Sequence, residues 1–159
     1  MDSKAKPTIR VGTKKDLPQA LKLVKELARF ERAPFEVEVT LSEMTKWGFG
    51  KDKQFDFLVA KKNGNIIGLA LYYYKYSTWK GKCMFLEDII ITESQRGIGA
   101  GKLLFDAVVK IAKKQKVRRL EWQVLDWNKP AIKFYKKYGS LLDQEWINCK
   151  LTNHQLEKF

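Results

Sequence analysis

The chain of 159 residues is expected to form an α+β fold, in which helices flank a mixed central β-sheet. Strand-like segments flank Asn63-Gly64, a strong signal for an antiparallel hairpin. Between residues 84 and 124 a strand, a glycine cluster, an amphipathic helix and another strand follow in order, which is typical of a parallel βαβ crossover. No repeat, low-complexity tract or Pro/Gly-rich linker divides the sequence, so we expect a single domain over residues 1–159.

The first third of the chain predicts one strand and two capped helices. Residues 8–11 form the strand, and Thr13 with Asp16 has the spacing of a capping box. The helix that follows has one apolar stripe, and Pro34 ends any continuation. The stripe consists of Leu17, Ala20, Leu21, Val24, Leu27 and Ala28. Thr40 with Glu43 begins a second, shorter helix, which the glycines at 48 and 50 end.

The remaining elements alternate between the hydrophobic periodicity of strands and that of helices. Residues 57–60 and 66–71 are the hairpin strands, and residues 84–91 form another strand. The helix after the glycine cluster has its apolar stripe at Leu103, Leu104, Ala107, Val108, Ile111 and Ala112. We expect a strand over residues 119–124, a loop over 126–130, a helix over 131–138 with Gly139 as its left-handed cap, and a last strand over 146–151.

Composition excludes several classes of protein. Hydrophobic residues make up 45% and charged residues 31% of the chain, which indicates a globular domain rather than a disordered one. Cys83 and Cys149 form neither a disulfide framework nor a zinc pattern, so we expect no metal. No stretch has the length of a signal peptide or a membrane span, and we expect a cytoplasmic protein.

The net charge of +13 predicts attraction to polyanions, whether nucleic acid, a membrane surface or a phosphorylated cofactor. Many of the lysines recur at helical spacing, as Lys110, Lys113 and Lys114 do, and are interpreted as solvated helix faces. The chain lacks the interleaved basic and aromatic pattern of a nucleic-acid-binding module, which disfavours that class. Charge alone does not choose among the remaining partners.

The glycine cluster is the motif that indicates chemistry. Residues 95–102 read Gln-Arg-Gly-Ile-Gly-Ala-Gly-Lys and lie between a predicted strand and a predicted helix. Glycines there let backbone N–H groups approach a ligand, and the helix N-terminus favours a diphosphate. The spacing does not fit a Walker A loop, because Leu103 follows Lys102. It does not fit a dinucleotide fingerprint either, because positions 102 and 104 are not glycine.

The spacing does fit Q/R-x-x-G-x-G/A, and this segment resembles the acetyl-CoA diphosphate loop of GNAT (Gcn5-related) acetyltransferases. Further segments resemble the diamine (spermidine/spermine) and thialysine acetyltransferase branch, in the same order along nearly the whole chain. They are residues 25–31 (KELARFE), 48–50 (GFG), 71–73 (LYY), 86–88 (LED), 127–130 (WNKP) and 134–137 (FYKK).

The resemblance implies a GNAT fold, in which a splayed pair of parallel strands forms the acetyl-CoA cleft, and it favours a homodimer. It implies that main-chain amides near Ile89, Ile90 and Ile91 hold the oxyanion. It also implies that the cosubstrate is bound by Gln95, Arg96, Gly97, Ile98, Gly99, Ala100, Gly101, Lys102, Asn128, Pro130 and Ala131. Asn128 can instead be a helix cap and nothing else.

Acetyl transfer to an amine needs a proton acceptor and a proton donor. Glu87 lies among apolar strand residues and is the candidate base, acting directly or through water. Adjacent acids on a strand point to opposite faces, so we expect only one of Glu87 and Asp88 to enter the cleft. The resemblance places the general acid at Tyr135. Cys83 and Cys149 are disfavoured as nucleophiles because no histidine accompanies them, so we expect direct transfer.

The acceptor is expected to be a small-molecule primary amine, either a diamine or polyamine or a thialysine-like amine. Candidate acceptor residues are Phe30, Glu31, Trp79, Glu87, Asp126 and Trp127. The aromatic residues among them can equally belong to the core. Ser77 stands where the polyamine enzymes of the family carry an acid, and Phe30 stands where they carry a tyrosine. A protein lysine or N-terminus as acceptor, and an inactive CoA-binding regulator of the same fold, are the alternatives.

Overall fold

A computed structural model describes residues 5–159 and contains five strands and five helices within that range. The strands are β1 (Thr8–Val11), β2 (Asp56–Lys62), β3 (Asn65–Ser77), β4 (Gly81–Ile91) and β5 (Leu120–Glu121). The helices are α1 (Leu17–Phe30), α2 (Leu41–Phe49), α3 (Ala100–Lys114), α4 (Lys129–Lys136) and α5 (Asn153–Leu156). The chain divides into two compact units, a first ending at Gln123 and a second, Val124–Phe159.

The sheet of the first unit is mixed, as predicted. Its strands lie in the order β1-β2-β3-β4-β5, antiparallel from β1 to β4, and β5 runs parallel to β4. The β2–β3 turn has Asn63 at φ 49° and Gly64 at φ 80°, the positive values of a tight hairpin turn. Helix α3 connects the parallel pair, which confirms the predicted crossover.

Helices α1 and α2 cover one face of this sheet. Their buried residues Leu17, Ala20, Leu23 and Met44 pack in one cluster with Phe57, Val59, Leu69 and Ile90 of the strands. Leu21, Val24 and Leu27 are only partly buried against this cluster. The predicted stripe is therefore confirmed, but it omitted Leu23, which is fully buried.

Helix α3 covers the opposite face, because a Cβ on Gly101 would lie 3.7 Å from Ile91, whereas the preceding Ile90 faces α1. Its buried residues are Ala100, Leu104, Phe105, Val108 and Ala112. The predicted stripe was wrong at Leu103, which is exposed, and it missed Phe105. The buried face of the helix, which begins at residue 100, therefore includes Phe105 in place of Leu103. The Phe105 ring packs edge-on against the Trp122 ring, with 5.3 Å between the ring centroids.

Strand β5 is much shorter than the predicted strand over residues 119–124. It pairs with β4 only at Met84–Leu120 and Phe85–Glu121, whereas β4 continues to Ile91. The two parallel strands therefore share a ladder at one end only. This is the arrangement of a splayed pair.

The predicted last strand over residues 146–151 is wrong. No strand includes this segment in the part of the chain that the structure describes, and Trp146 and Ile147 are 72% and 86% exposed. Consecutive residues of a strand face opposite sides, so the exposure of both Trp146 and Ile147 means that neither face of this segment packs against other residues. Apolar residues without such packing do not make a strand. In its place the second unit ends with α5, whose Thr152–Gln155 capping interaction went unrecognised.

A part-buried ion pair attaches the start of α1 to the sheet. Arg10 of β1 donates to both carboxylate oxygens of Asp16, at 2.6 and 2.9 Å, and the Thr13 amide donates to the same carboxylate at 2.7 Å. The Arg10 guanidinium, together with the Thr13 donors, holds the pKa of Asp16 far below its usual value. Asp16 is 7% exposed, whereas the Arg10 side chain is partly exposed, so these bonds are partly shielded from water.

We expect Asp16→Asn to lower the free energy of unfolding by about 2 kcal/mol at pH 7, because charge-assisted hydrogen bonds to a buried carboxylate are lost. In thermal unfolding this corresponds to a decrease in Tm of about 5 °C. Since the folded pKa is depressed, the difference between the two proteins should shrink as pH falls below about 4, the range in which the unfolded carboxylate protonates. Asp56→Asn, which breaks the exposed pair with Lys53, is the control and should cost less than about 1 kcal/mol.

Candidate active site

The loop between β4 and α3 is shaped by two glycines. After a short 3-10 turn, Glu93–Gln95, Gly97 and Gly99 have φ angles of 80° and 81°, in the left-handed region that side chains with a Cβ disfavour. A Cβ at either glycine would meet no protein atom within 4 Å. The space is therefore open to a ligand, and the glycines are needed for the backbone conformation rather than for internal packing.

Helix α3 begins at the end of this loop with unpaired donors. Gly99 is the N-cap residue and has no side chain that can accept from the first turn, where amides lack intrahelical partners. Ala100 is buried and anchors the turn, whereas residues 96–99 are exposed. This geometry fits a diphosphate, because exposed amides and the positive helix end point towards open space.

The two basic residues of the motif have internal contacts. The Arg96 Nε donates to the carbonyl oxygen of Ile91 at 3.1 Å, and its guanidinium lies 4.9 Å from the ring centroid of Phe30. Lys102 Nζ pairs with Asp106 at 2.6 Å on the exposed face of α3. The structure thus brings together Arg96, predicted to bind the cosubstrate, and Phe30, predicted to bind the acceptor.

Glu26 is a positioning residue that sequence reasoning missed. Its carboxylate accepts from the Thr92 hydroxyl at 2.9 Å and from the Glu93 amide at 2.9 Å, which attaches the start of the loop to α1. Because Glu26 falls on a helix far away in sequence, only the fold reveals the contact.

The end of β4 has one paired edge. Residues Ile89, Ile90 and Ile91 pair with Ala70, Leu69 and Gly68 of β3. On the other edge, β5 reaches no further than Phe85 in the described part of the chain. Main-chain groups past Phe85 on that edge therefore have no partner from β5, which is the condition for an amide that holds an oxyanion.

A β-bulge interrupts β4 at the predicted acids. Leu71 of β3 lies opposite Asp88, whereas the next residue, Tyr72, lies opposite Leu86. Glu87 is therefore the extra residue, and the usual alternation of side chains is broken at this point.

The bulge overturns the expectation that Glu87 and Asp88 face opposite sides. The Tyr73 hydroxyl donates to Glu87 Oε2 at 3.0 Å, so Glu87 lies on the face of Tyr73. Leu71, two residues before Tyr73, shares that face, and so does its cross-strand partner Asp88. Both carboxylates therefore lie on the α1 side of the sheet.

Glu31, at the C-terminal end of α1, completes this group. Helix α1 ends where Arg32 adopts φ 65° and the Ala33 amide donates to the Ala28 carbonyl at 2.8 Å. The Glu31 charge acts on Asp88 directly. We call Glu31, Glu87 and Asp88 the carboxylate cluster.

The three carboxylates have different surroundings. Burial, followed by the charges of Glu87 and Glu31, raises the pKa of Asp88 to about 7. Burial also raises the pKa of Glu31. Glu87 is exposed. The Tyr73 hydroxyl, which donates to Glu87, has its pKa raised to about 12 by its own burial and by the Glu87 charge. Sequence reasoning predicted Glu31 and Glu87 and expected only one of Glu87 and Asp88 in the cleft, since neither the bulge nor the burial of Asp88 is visible in the sequence.

Trp79, predicted as an acceptor residue, lies in the β3–β4 turn. Ser77 Oγ accepts from the Trp79 and Lys80 amides, both at 3.2 Å, and the Trp79 side chain is 77% exposed. At the rise of a strand, residues 81 to 87 span about 20 Å. The fold of the first unit therefore does not bring Trp79 of this chain to the carboxylate cluster.

The remaining predicted residues lie in the second unit. Asn128 Oδ1 accepts from the Ala131 amide at 3.3 Å and caps α4, with Pro130 in its first turn. Lys129 Nζ donates to the Asp126 carbonyl at 2.6 Å, which closes the loop that contains Trp127. Tyr135 is buried on α4, and its ring packs on Phe134 at 5.4 Å. The capping role of Asn128 is confirmed.

No helix within residues 5–159 has both the length and the apolar character needed to cross a membrane. In the same residues, no three His, Cys, Asp or Glu side chains are grouped so that they could hold a metal ion.

Comparison with known proteins gives consistent results. Residues 21–139 match the Acetyltransferase (GNAT) family. The chain is 32% identical to a thialysine N-epsilon-acetyltransferase of Mus musculus, with 97% of each protein covered. It is 37% identical to the L-ornithine N5-acetyltransferase NATA1 of Arabidopsis thaliana, over 77% of this chain and 51% of that protein.

A solved structure, an integron cassette protein from the mobile metagenome of V. cholerae, superposes with a TM-score of 0.77. The two proteins are 22% identical and 96% of each chain is covered, so this likeness concerns the fold. The family match spans most of the sequence and includes the glycine loop, β4 and α4. The chain therefore belongs to the GNAT acetyltransferase family.

Proposed function

We propose that this acetyltransferase moves the acetyl group of acetyl-CoA to the primary amine of a small molecule, a thialysine-like amine or a diamine. The carboxylate cluster next to the glycine loop is the observation that carries the proposal. A cationic amine needs local negative charge on a chain whose net charge is +13, and the cluster supplies it. The thialysine and ornithine acetyltransferases among the relatives support the same class of acceptor.

The two units are proposed to act as a single acetyltransferase domain. The family match from residue 21 to residue 139 crosses the boundary at Gln123, which supports this proposal. Amides of residues 97–102 would hold the diphosphate, and Asn128, Pro130 and Ala131 would contact the pantetheine arm. Arg96 would act mainly by fixing the loop to β4, in view of its bond to Ile91.

The proposed reaction is direct attack in a ternary complex. The amine nitrogen bonds to the thioester carbonyl carbon, and an amide at residues 89–91 stabilises the oxyanion. The amine loses its proton to Glu87, directly or through water. The C–S bond then breaks, and Tyr135 donates its phenolic proton to the departing thiolate. Phe30, Glu31, Asp126 and Trp127 would surround the acceptor.

A cytoplasmic location is also proposed, on the basis of the sequence alone, and a homodimer, on the basis of the family resemblance. The exposed apolar side chains of Trp146 and Ile147 in the second unit support association with a second copy. Light scattering of the purified protein tests the homodimer, and a monomer at every concentration would contradict it.

An acceptor screen tests the proposed function. Thiol release from acetyl-CoA would be followed with thialysine, ornithine, a diamine, spermidine and a lysine peptide side by side. We expect the small amino-acid-like amines to react fastest, because thialysine and ornithine acetyltransferases are among the relatives. Preference for the lysine peptide would contradict the small-molecule assignment. Acetyl-CoA binding without turnover of any amine would indicate a regulator.

A further inference from the structure

The bulge in β4 presents two neighbouring carboxylates that are not equivalent. Glu87, the extra residue, is exposed and accepts a hydrogen bond from the Tyr73 hydroxyl at 3.0 Å. Asp88 stays in the ladder opposite Leu71, which packs against the core, and is the less exposed of the two. Glu87 is thus placed to meet an incoming amine, and Asp88 lies behind it.

The charges around Asp88 come from its own strand and from two neighbouring elements. Glu87 of β4 and Glu31 at the end of α1 both oppose ionisation of Asp88. Tyr73 of β3 donates to Glu87 and remains a neutral phenol. The cations at this end of α1 are Arg29 in its last turn, Arg32 just beyond it, and Arg96, whose guanidinium lies over Phe30. Burial and two like charges therefore make Asp88 the carboxyl of the cluster that most readily takes a proton.

We propose that Asp88 holds the proton that the attacking amine loses, and that Glu87 orients the amine and passes this proton inward. The inference rests on the proposed function and refines its base. In the step, the ammonium N–H bond breaks and its proton goes to the Asp88 carboxylate. The freed lone pair forms the N–C bond, and when the C–S bond breaks its electrons leave with the thiolate that Tyr135 protonates. The nitrogen then loses its second proton, through water, to the Tyr135 phenolate, which leaves a neutral amide and restores Tyr135. Asp88 returns its proton to water after the product leaves.

The dependence of kcat/KM on pH distinguishes this role from a structural one. Only the ionised Asp88 accepts a proton, so with acetyl-CoA saturating and thialysine varied, kcat/KM of the wild type should rise through its pKa of about 7 and then level off. Asp88→Asn keeps the shape of the side chain but removes the acceptor. We expect kcat/KM to fall about 10-fold at pH 7.5, and to climb without a plateau towards pH 9 as free amine replaces ammonium.

A second variant keeps the test independent of any loss of folding. Glu31→Gln removes a like charge, so the pKa of Asp88 should fall and the rise in kcat/KM should move to lower pH. Carbon NMR of the labelled aspartate carboxyls should show the same displacement without turnover. Asp52→Asn, at an exposed acid outside the cluster, is the control and should leave the profile in place.

The outcomes separate this inference from the proposed function. If the wild type acetylates thialysine but Asp88→Asn keeps the rise near pH 7, Asp88 is not the proton acceptor and the proposed function stands. An unmoved rise in Glu31→Gln would overturn the inference in the same way. If the wild type turns over no amine in the screen, the proposed function and this inference both fail.

Discussion

Replacing Gly99 by valine is expected to weaken acetyl-CoA binding by about 100-fold or more. Gly99 has φ 81° and an open Cβ direction, so the valine side chain would occupy the space in which the diphosphate approaches the amides. Loss of two charge-assisted hydrogen bonds costs about 3 kcal/mol or more, which corresponds to this factor in Kd. Calorimetric titration of the folded variant with acetyl-CoA measures this Kd.

Gly64→Val is the matched control. Gly64 has φ 80° and equally open surroundings, but it lies in the β2–β3 hairpin turn. Both variants should lose a similar amount of stability, about 1–2 kcal/mol from the left-handed backbone. Only Gly99→Val should lose affinity. Wild-type affinity in that variant would refute the assignment of the loop, whereas an equal loss in both variants would mean that strain, not access, is responsible.

Local signals in the sequence are sufficient for most of the fold. Asn63-Gly64 predicts the hairpin because its positive φ angles suit few other residues, and the two glycines of the loop predict the β4–α3 connection for the same reason. Thr40 and Glu43 predict the start of α2, where the Glu43 amide donates to Thr40 Oγ1 at 3.2 Å. Each of these features depends on residues a few positions apart.

Features that depend on distant residues were not predictable. The bulge at Glu87 is a register shift between β3 and β4, and no residue type in β4 predicts it. It reverses the orientation expected for one acid and creates the carboxylate cluster. Residues 146–151 show the opposite error, because an apolar segment was predicted to pair although it forms no strand in the described part of the chain.

The carboxylate cluster and the net charge of +13 have separate effects. At physiological ionic strength the field of exposed charges is screened over about 8 Å, so surface lysines attract the phosphates of acetyl-CoA without deciding what enters the acceptor site. Within the cluster the charges act over shorter distances and at lower local dielectric. A basic protein can therefore accept a cationic amine.

Replacing Tyr135 by phenylalanine is expected to lower kcat by about 100-fold or more, because general acid catalysis contributes this much to proton transfer. Tyr135 is buried on α4 and packs on Phe134, and phenylalanine keeps that ring contact while it removes the hydroxyl. The Kd of acetyl-CoA should stay within a factor of about two, since the ring and the capped start of α4 are preserved. Single-turnover measurements with the best acceptor of the screen determine the rate.

Tyr138→Phe is the control, because Tyr138 packs on the same Phe134 at 5.2 Å but lies three residues further along the chain, past the end of α4. It should keep kcat near the wild-type value and reveal any general effect of removing a phenol from this part of the second unit. The two variants should differ most with alkyl thioesters, whose thiolates are basic, and least with a thioester of an acidic thiol. Such a leaving group needs no proton. If Tyr135→Phe turned over as fast as wild type with acetyl-CoA, the donor would have to be water or another side chain, and α4 would serve only to bind the cosubstrate.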